Sequence, residues 1–344
     1  LPYALFFFFY SLSLTDPPEV YVMTRAWYGV SPTGNQSTEA LVRLTNSLKE
    51  DYPLAVSVVK DDLYVDDTIT GSNDVSAIEQ QIHETLNAFA QGGFSLKYVV
   101  KSGEDPCEQA SPNETSLKIL GYKWSPKEDM LNPGFGEINF NKKRRGAKKP
   151  NPFAVETPKD VSRLLNSTNI TRRIVVSKIA EIYDPVGIWE PFKLQLKLDN
   201  SYLNGNEWDV PLNAELQTHW KERFKQFLYI PAMEATRCII PPDAVNPNNL
   251  RLLCLSDAAE SAGGCAVYAS FERTNGQYSC QLLTARSKLM AQKIPRNELE
   301  AIKLMAETVN NVKQALGDQV KETLYFTDST IAMCWCHNIS KKLR

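Results

Sequence analysis

The pattern of apolar and polar positions predicts a hairpin followed by a helix in the first third of the chain. Residues 54–60 (LAVSVVK) and 63–70 (LYVDDTIT) are rich in β-branched and aromatic residues, so they are predicted to form two strands connected by Lys60-Asp61-Asp62. Short strands are also predicted at 94–100 and 117–124. Between residues 70 and 94, apolar residues recur at helical spacing up to Gly92-Gly93, at Val75, Ile78, Ile82, Leu86 and Phe89.

Two further sections follow a stretch rich in Pro, Gly, Lys and Arg at 126–152, which marks a boundary. Thr157 is predicted to be a helix N-cap and Pro158 the first helical residue. Helical segments are predicted from there to about Tyr229. After the Pro- and Asn-rich residues 239–249, the pattern changes again. It predicts three strands, one long amphipathic helix, another strand and the start of a helix.

Length and composition indicate a globular protein with room for two or three domains, since the chain has 344 residues and 43% of them are hydrophobic. The seven cysteines show no repeated CxxC spacing, which favours a reducing, intracellular compartment over secretion. The apolar residues 1–14 lack a basic flank and a cleavage site, and they are too short to span a bilayer comfortably. We therefore expect no membrane partner, and we interpret this segment as the edge of a longer protein.

An aspartate pair stands inside the second predicted strand, in the stretch LYVDDTITG. Strands are depleted in Asp, so Asp66 and Asp67 need a specific reason to be there. They are consistent with a hairpin turn, because Asp is a common turn residue. They are equally consistent with a Mg²⁺ site, because that ion takes oxygen ligands. The stretch alone leaves both interpretations open.

A second acidic pattern lies in the last section of the chain. Asp257 and Asp328 each end an apolar strand, and Glu298 lies in the first turn of a helix that begins at Pro295. Singly, each acid could be a cap or turn residue. Together, in the element order β-β-β-α-β-α, they form a cluster that can bind two Mg²⁺ ions. Glu300 is the competing glutamate, but two residues turn it about 200° around the helix.

If residues 250–344 form a sheet like that of ribonuclease H, which this order of acids resembles, a geometric prediction follows. The strands ending at Asp257 and Asp328 should be parallel and adjacent, so that both carboxylates emerge at the same edge of the sheet. Glu298 should lie over that edge, because Ala301 and Met305 follow it at the spacing of a core-facing stripe. Repulsion among three carboxylates should raise the pKa of at least one of them when no metal is bound.

The order and spacing of these acids resemble the ribonuclease H fold. Six stretches in order resemble the Pol polyprotein of Pao/BEL-type LTR retrotransposons over roughly residues 20–337: MTRAWYGVSPTGNQSTEAL, YVDDTITG, GGFSLKYVVKSG, ILGYKW, TRRIVVSKIAEIYDPVGIWEPFKLQLK and IPRNELEAI. The resemblance implies an α+β palm remnant of a reverse transcriptase, a helical thumb/connection, and an α/β ribonuclease H-like domain with a mixed sheet. The implied domains are a partial fingers/palm (1–140), a basic linker (141–152), the thumb/connection (153–240) and a ribonuclease H-like domain truncated at its C-terminus (245–344).

The resemblance also implies the site residues. The metal-binding catalytic acids would be Asp66 and Asp67 in a polymerase site and Asp257, Glu298 and Asp328 in a nuclease site. Lys97 would help protonate the pyrophosphate leaving group. Residues near the incoming nucleotide and template would be Ser31, Pro32, Asn35, Gln36 and Gly121. The implied cofactor is Mg²⁺ or Mn²⁺, and the implied partners are an RNA template, an RNA/DNA hybrid and dNTP.

A basic run follows the predicted palm, at Lys142, Lys143, Arg144, Arg145, Lys148 and Lys149. Such runs are often solvated linkers. Near a template-primer channel they would contact phosphates and make the affinity fall with salt. We interpret the run as a flexible linker that adds nonspecific nucleic-acid affinity.

Two functions from different classes follow. The first is a fragment of a retroelement RNA-directed DNA polymerase with ribonuclease H, which catalyses nucleotidyl transfer and hydrolyses RNA/DNA hybrids. The alternative is a decayed or domesticated remnant that binds nucleic acid without catalysis. The family has a first palm aspartate upstream of the Met23 motif and a fourth ribonuclease H acid on a later helix, and this sequence contains neither.

Overall fold

The structure is a computed structural model of the chain. It describes residues 7–11, 15, 17–22, 33–65, 67–72, 74–120, 122–132, 165–166, 168–182, 184–226 and 234–337. The chain divides into two compact units, Leu1–Val99 and Val100–Arg344.

Helices occur in both units. They are α1 (Thr33–Ser47), α2 (Pro53–Ser57), α3 (Val75–Gln91), α4 (Arg172–Ala180), α5 (Glu190–Ser201), α6 (Ala214–Gln226), α7 (Ile294–Leu316) and α8 (Thr330–His337). The strands are β1 (Phe7–Tyr10), β2 (Glu19–Val22), β3 (Leu63–Tyr64), β4 (Asp67–Thr68), β5 (Leu117–Ile119), β6 (Tyr122–Ser125), β7 (Met130–Asn132), β8 (Ala235–Thr236), β9 (Leu250–Ala258), β10 (Ala262–Ser270), β11 (Gln281–Leu289) and β12 (Val320–Phe326). Among the described residues, no helix is both long and apolar enough to cross a membrane.

In the first unit, residues 54–60 are helical, so the strand predicted there is wrong. Helix α2 continues into a π-helical turn over Val58–Asp62. Ala55, Val58 and Val59 are all buried, and their spacing is that of one helix face. Strand propensity reports how a side chain packs against its neighbours rather than an intrinsic backbone preference. Packing of this face against α1 and α3 therefore overrides the β-branched composition.

The aspartate pair follows this helix in a very short hairpin. Strand β3 pairs with β4 through Leu63–Thr68 and Tyr64–Asp67, which leaves two residues in the loop. The predicted second strand is thus confirmed only as two short pieces around a turn. Asp67 lies in β4, and Asp66 lies outside the described residues, so the turn and metal interpretations of the aspartate pair both stay predictions.

The strand predicted at 94–100 is also wrong, because the structure assigns no strand to these residues. Phe94 and Leu96 instead pack against a cluster formed by Leu41, Val59 and Phe89. Side-chain burial therefore takes the place of a hydrogen-bonded ladder in this segment.

The second unit contains a small antiparallel sheet in the order β5-β6-β7-β8. Where one strand was predicted at 117–124, β5 and β6 form a hairpin, and β7 pairs with β8, which lies about a hundred residues later. An ion pair between Arg237 and Asp129 (2.6 Å) supports the same connection. Residues 100–132 thus belong to the second unit, whereas the boundary predicted from the sequence lay at 140.

Helices α4, α5 and α6 form the helical section predicted from the sequence. Their core contains Val175, Leu196, Trp220 and Phe224, all of which are almost fully buried. The predicted N-cap at Thr157 lies outside the described residues.

The main sheet has the order β11-β10-β9-β12. Strands β11, β10 and β9 are antiparallel neighbours, and β9 pairs with β12 in parallel, so the predicted mixed sheet is confirmed. Helix α7 makes the crossover between β11 and β12. It packs Met305 and Val309 against Leu252 and Val267 of the sheet.

Residues 184–190 connect the helical section to this sheet, and the Asp184 side chain stabilises the backbone of this stretch. The Asp184 carboxylate accepts hydrogen bonds from the backbone N–H groups of Gly187 (3.0 Å), Ile188 (3.0 Å) and Trp189 (2.9 Å). These bonds satisfy three backbone donors in the turn that leads into α5.

The same stretch lies along the edge strand β11. The Val186 carbonyl accepts a hydrogen bond from the Ala285 N–H (2.7 Å), and Ser287 donates a short hydrogen bond to Glu190. Gly187 has a φ of +88°, and a Cβ built there would lie 2.0 Å from the Ala285 carbonyl oxygen. Only glycine fits both this backbone conformation and this approach.

Candidate active site

Strands β9 and β12 bring two aspartates to one edge of the main sheet. The strands are parallel and adjacent, so their carboxyl ends lie together. Asp257 is the penultimate residue of β9, and Asp328 follows the end of β12 by two residues. Leu250, Leu252 and Cys254 alternate into the core and fix the register of β9. The predicted parallel arrangement is confirmed.

Helix α7 supplies the third acid. Glu298 lies on the buried stripe that continues through Ala301, Met305 and Val309, and it is 7% exposed. Glu300 lies on another face, where it forms an ion pair with Lys288 at 3.5 Å. The structure therefore places Glu298, and not Glu300, above the edge of the sheet, as predicted from the periodicity.

The three carboxylates form a compact cluster. One carboxylate oxygen from each of Asp257, Glu298 and Asp328 lies within 4.8 Å of the others. Burial raises the pKa of Glu298, and the negative charges of Asp328 and Asp257 raise it further. The pKa of Glu298 is thus raised in the direction that carboxylate repulsion predicts, with burial as the larger cause.

The residues of this cluster fit a divalent cation. Oε2 of Glu298 is buried and has no hydrogen-bond partner, which is costly for a carboxylate oxygen. Three carboxylates at this separation supply the oxygen ligands that Mg²⁺ and Mn²⁺ take. A cation bound there would satisfy the orphaned oxygen and offset the repulsion among the acids.

The two aspartates open into a groove of about 690 Å³. Its walls include the glycine pair Gly263-Gly264 of β10 and Leu194 of α5. This volume lies within the range of sites that bind small molecules or segments of larger ligands. The helical section therefore contributes a wall to the groove at the acidic cluster.

The structure describes only some of the other predicted site residues, and those lie in the first unit. Asp67 is exposed in β4, and Lys97 is exposed with its Nζ 5.8 Å from the centre of the Tyr98 ring. Asn35 and Gln36 are exposed in the first turn of α1. The remaining predictions lie outside the described residues: Asp66, Ser31, Pro32, Gly121, Lys142, Lys143, Arg144, Arg145, Lys148 and Lys149.

Two residues near the acids were missed by the sequence analysis. Asn297 is fully buried beside Glu298, and its side chain makes three hydrogen bonds. Ser256 precedes Asp257, and its buried Oγ has no hydrogen-bond partner. The sequence offered one signal for both Asn297 and Ser256: each is a polar residue at a core-facing position next to a candidate acid.

Comparison with known proteins gives one family match. Residues 171–329 match the family described as the Pao retrotransposon-like RNaseH-like domain. The matched segment begins at α4 and includes all three acids of the cluster. No curated protein sequence matches the chain significantly.

Solved structures similar to the chain include the foamy viral protease-reverse transcriptase. Its dRH form in complex with double-stranded DNA has a TM-score of 0.49 and 13% identity, over 94% of this chain and 47% of that one. A second structure of the protein with double-stranded DNA has a TM-score of 0.47 and 12% identity, over 94% of this chain and 55% of that one. The chain thus spans about half the length of these proteins.

The resemblance to Pao retrotransposon Pol proteins noted in the sequence is supported by the family match. The match covers helices α4 to α6, the main sheet and α7, and the acidic cluster lies on the sheet and α7 within it. Residues 171–329 of this chain are similar to the family described as the Pao retrotransposon-like RNaseH-like domain, and all three acids of the cluster lie within the matched segment.

Proposed function

We propose that the domain hydrolyses the RNA strand of RNA/DNA hybrids as part of a retroelement Pol protein, using divalent cations held by Asp257, Glu298 and Asp328. The observation that carries this proposal is the cluster of three carboxylates, in which a buried oxygen of Glu298 has no partner. Mg²⁺ or Mn²⁺ bound there would activate a water molecule and stabilise the leaving oxygen of a phosphodiester.

The protein's own contribution is to hold the ligands in place. The parallel pairing of β9 and β12 fixes the two aspartates, and the packing of α7 on the sheet fixes Glu298. The groove beside the aspartates would receive the sugar-phosphate backbone of the hybrid. Because the acids lie on a helix, on a strand and just after a second strand, we expect the site to be prearranged rather than assembled on binding.

The upstream part of the chain is proposed to be a reverse transcriptase palm with a helical thumb/connection, on the strength of the sequence resemblance. In that role, Asp66 and Asp67 would bind Mg²⁺, and Lys97 would help to protonate the pyrophosphate. Ser31, Pro32, Asn35, Gln36 and Gly121 would lie near the dNTP and the RNA template.

A cleavage assay with the full chain tests the nuclease proposal. An RNA/DNA hybrid labelled on its RNA strand should be cut when Mg²⁺ or Mn²⁺ is present and left intact when EDTA is added. Duplex DNA and single-stranded RNA of the same sequence should stay intact. Binding of the hybrid without any cleavage in either metal would contradict the proposal and favour a remnant that only binds nucleic acid.

We propose that the basic run adds phosphate contacts to this binding. Replacing Lys142, Lys143, Arg144 and Arg145 by Ala should weaken binding to the hybrid and reduce the slope of log K against log salt by up to about 4, because each lost phosphate contact removes roughly one released counterion. Fluorescence anisotropy at several salt concentrations measures the slope.

Exposed lysines elsewhere provide the control for the basic run. Lys49, just after α1, forms an exposed ion pair with Glu50, and Lys303 on α7 forms one with Glu307. Their replacement by Ala should leave the slope nearly unchanged. An unchanged slope in the variant of the basic run would remove that run from the interface.

A further inference from the structure

Asn297 joins three segments that meet beside the acidic cluster. Its Nδ2 donates to the backbone carbonyls of Ala259 (2.9 Å) and Glu260 (3.0 Å), in the turn between β9 and β10. Its Oδ1 accepts from the backbone N–H of Gln292 (3.1 Å), in the link between β11 and α7. The side chain is fully buried, so no solvent competes for these bonds.

These bonds lie close in sequence to the ligand residues. Ala259 follows Asp257 by two residues, and Asn297 directly precedes Glu298. The side chain of Asn297 therefore ties the end of β9 to the first turn of α7 at the point where each supplies a carboxylate. A backbone hydrogen bond from the Met290 N–H to the Ser261 carbonyl (2.9 Å) also connects the end of β11 to the β9–β10 turn.

Hydrogen bonds that hold the first turn of α7 at the end of β9 are needed because the carboxylates repel one another. Without a bound cation, the repulsion favours a movement of the first turn of α7 away from the edge of the sheet. Three hydrogen bonds in a buried position oppose that movement. Partners that orient metal ligands commonly change metal affinity by about 10- to 100-fold when removed.

We propose that Asn297 is a positioning residue that sets the separation between Asp257 and Glu298 and thereby the affinity of the site for divalent cations. The inference rests on the proposed function, because it assumes that the cluster binds metal. It assigns to Asn297 no contact with the metal or with the nucleic acid.

Isothermal titration calorimetry of the full chain with Mn²⁺, at low temperature, measures the Mn²⁺ affinity and tests the role of Asn297. Asn297→Ala should bind Mn²⁺ at least about tenfold more weakly than the unmodified chain, because the ligands are no longer held at their separation. Asn297→Ser, which keeps a polar group in the same space, serves if Asn297→Ala does not fold. Far-UV circular dichroism reports whether each variant is folded.

Thr308→Ala is the matched control for loss of stability. Thr308 is buried on the same helix, donates to the Leu304 carbonyl (2.7 Å), and lies about 15 Å along the axis from Glu298. This variant should lower the melting temperature and keep the Mn²⁺ affinity. Equal losses of affinity in Thr308→Ala and Asn297→Ala would overturn the positioning role, as would unchanged affinity in Asn297→Ala.

Asp257→Asn separates failure of this inference from failure of the proposed function. Its Mn²⁺ affinity should fall by more than that of Asn297→Ala, since a ligand is removed. If Asp257→Asn binds Mn²⁺ as the unmodified chain does, the metal site itself is refuted, and the role of Asn297 with it. If only Asp257→Asn loses affinity, the site stands and the role of Asn297 is refuted.

Discussion

Glu298→Gln is expected to lower the metal-dependent cleavage of an RNA/DNA hybrid by more than about 100-fold, because a ligand contributes at least as much as the partners that orient it. The amide keeps the size of the side chain but loses its charge. Initial rates at saturating Mg²⁺ or Mn²⁺ measure the effect. Mn²⁺ affinity, measured on the same samples, should fall with the rate.

Glu300→Gln is the matched control for this variant. Glu300 lies two residues later on α7, is partly exposed, and pairs with Lys288. Such exposed pairs contribute little to stability, so the variant should keep nearly full activity and metal affinity. Equal activity in the two variants, or loss in Glu300→Gln alone, would refute the assignment of Glu298.

Glu298→Gln should also change how the stability of the metal-free protein depends on pH. The pKa of Glu298 is raised above its ordinary value near 4.5, so the folded state holds this proton more tightly than the unfolded state does. Its stabilising contribution is therefore present below the unfolded pKa and is lost as pH rises through the folded pKa. As the pH rises from the unfolded pKa to the folded pKa of Glu298, the unmodified chain should therefore lose stability relative to Glu298→Gln.

Urea unfolding in EDTA, at several values between pH 4 and pH 8, measures this difference. The free energies of unfolding of the two proteins should diverge as the pH rises, with Glu298→Gln the more stable at pH 8. Added Mg²⁺ should reverse the order, because it stabilises only the protein that retains the ligand. Parallel pH profiles in EDTA would contradict the predicted repulsion.

Gly187→Ala is expected to destabilise the second unit by about 3 kcal/mol, because it combines an unfavourable backbone conformation with a steric clash. The φ of +88° strains any residue with a Cβ, and that Cβ would lie 2.0 Å from the Ala285 carbonyl oxygen. The melting temperature should fall by roughly 6–12 °C. Differential scanning calorimetry of the full chain measures the change.

Gly276→Ala separates the two causes. Gly276 has a φ of +76° in the turn between β10 and β11, and nothing lies within 4 Å of a Cβ built there. Only the backbone cost of about 1–2 kcal/mol should appear in this variant. If both variants lose the same stability, the close approach of residue 187 to β11 contributes nothing.

The acidic cluster could be predicted from the sequence for two reasons. The order of elements resembles the ribonuclease H fold, in which a parallel crossover places the ends of two strands at one edge of the sheet. The apolar stripe of the intervening helix fixes which glutamate faces that edge, and this rule uses only the spacing of residues within the helix. Asp257, Glu298 and Asp328 could therefore be brought together before the structure was known.

The wrong strand predictions arose where distant contacts decide the local structure. Residues 54–60 have the composition of a strand but bury one helical face against α1 and α3. Residues 94–100 alternate like a strand, yet Phe94 and Leu96 pack on a helical cluster. Propensity differences in such segments are small compared with the free energy of burying several apolar side chains.

The sequence by itself determined the order of elements from β9 to α8, the three acids and the choice of Glu298 over Glu300. The tertiary structure alone decided that Asn297 bridges the β9–β10 turn, that Gly187 lies against β11, and that Leu194 lines the groove of the acids. The physical reason is that periodicity along one element records which face it buries. It does not record which distant backbone atoms that face meets, and those atoms fix a hydrogen bond or a close approach.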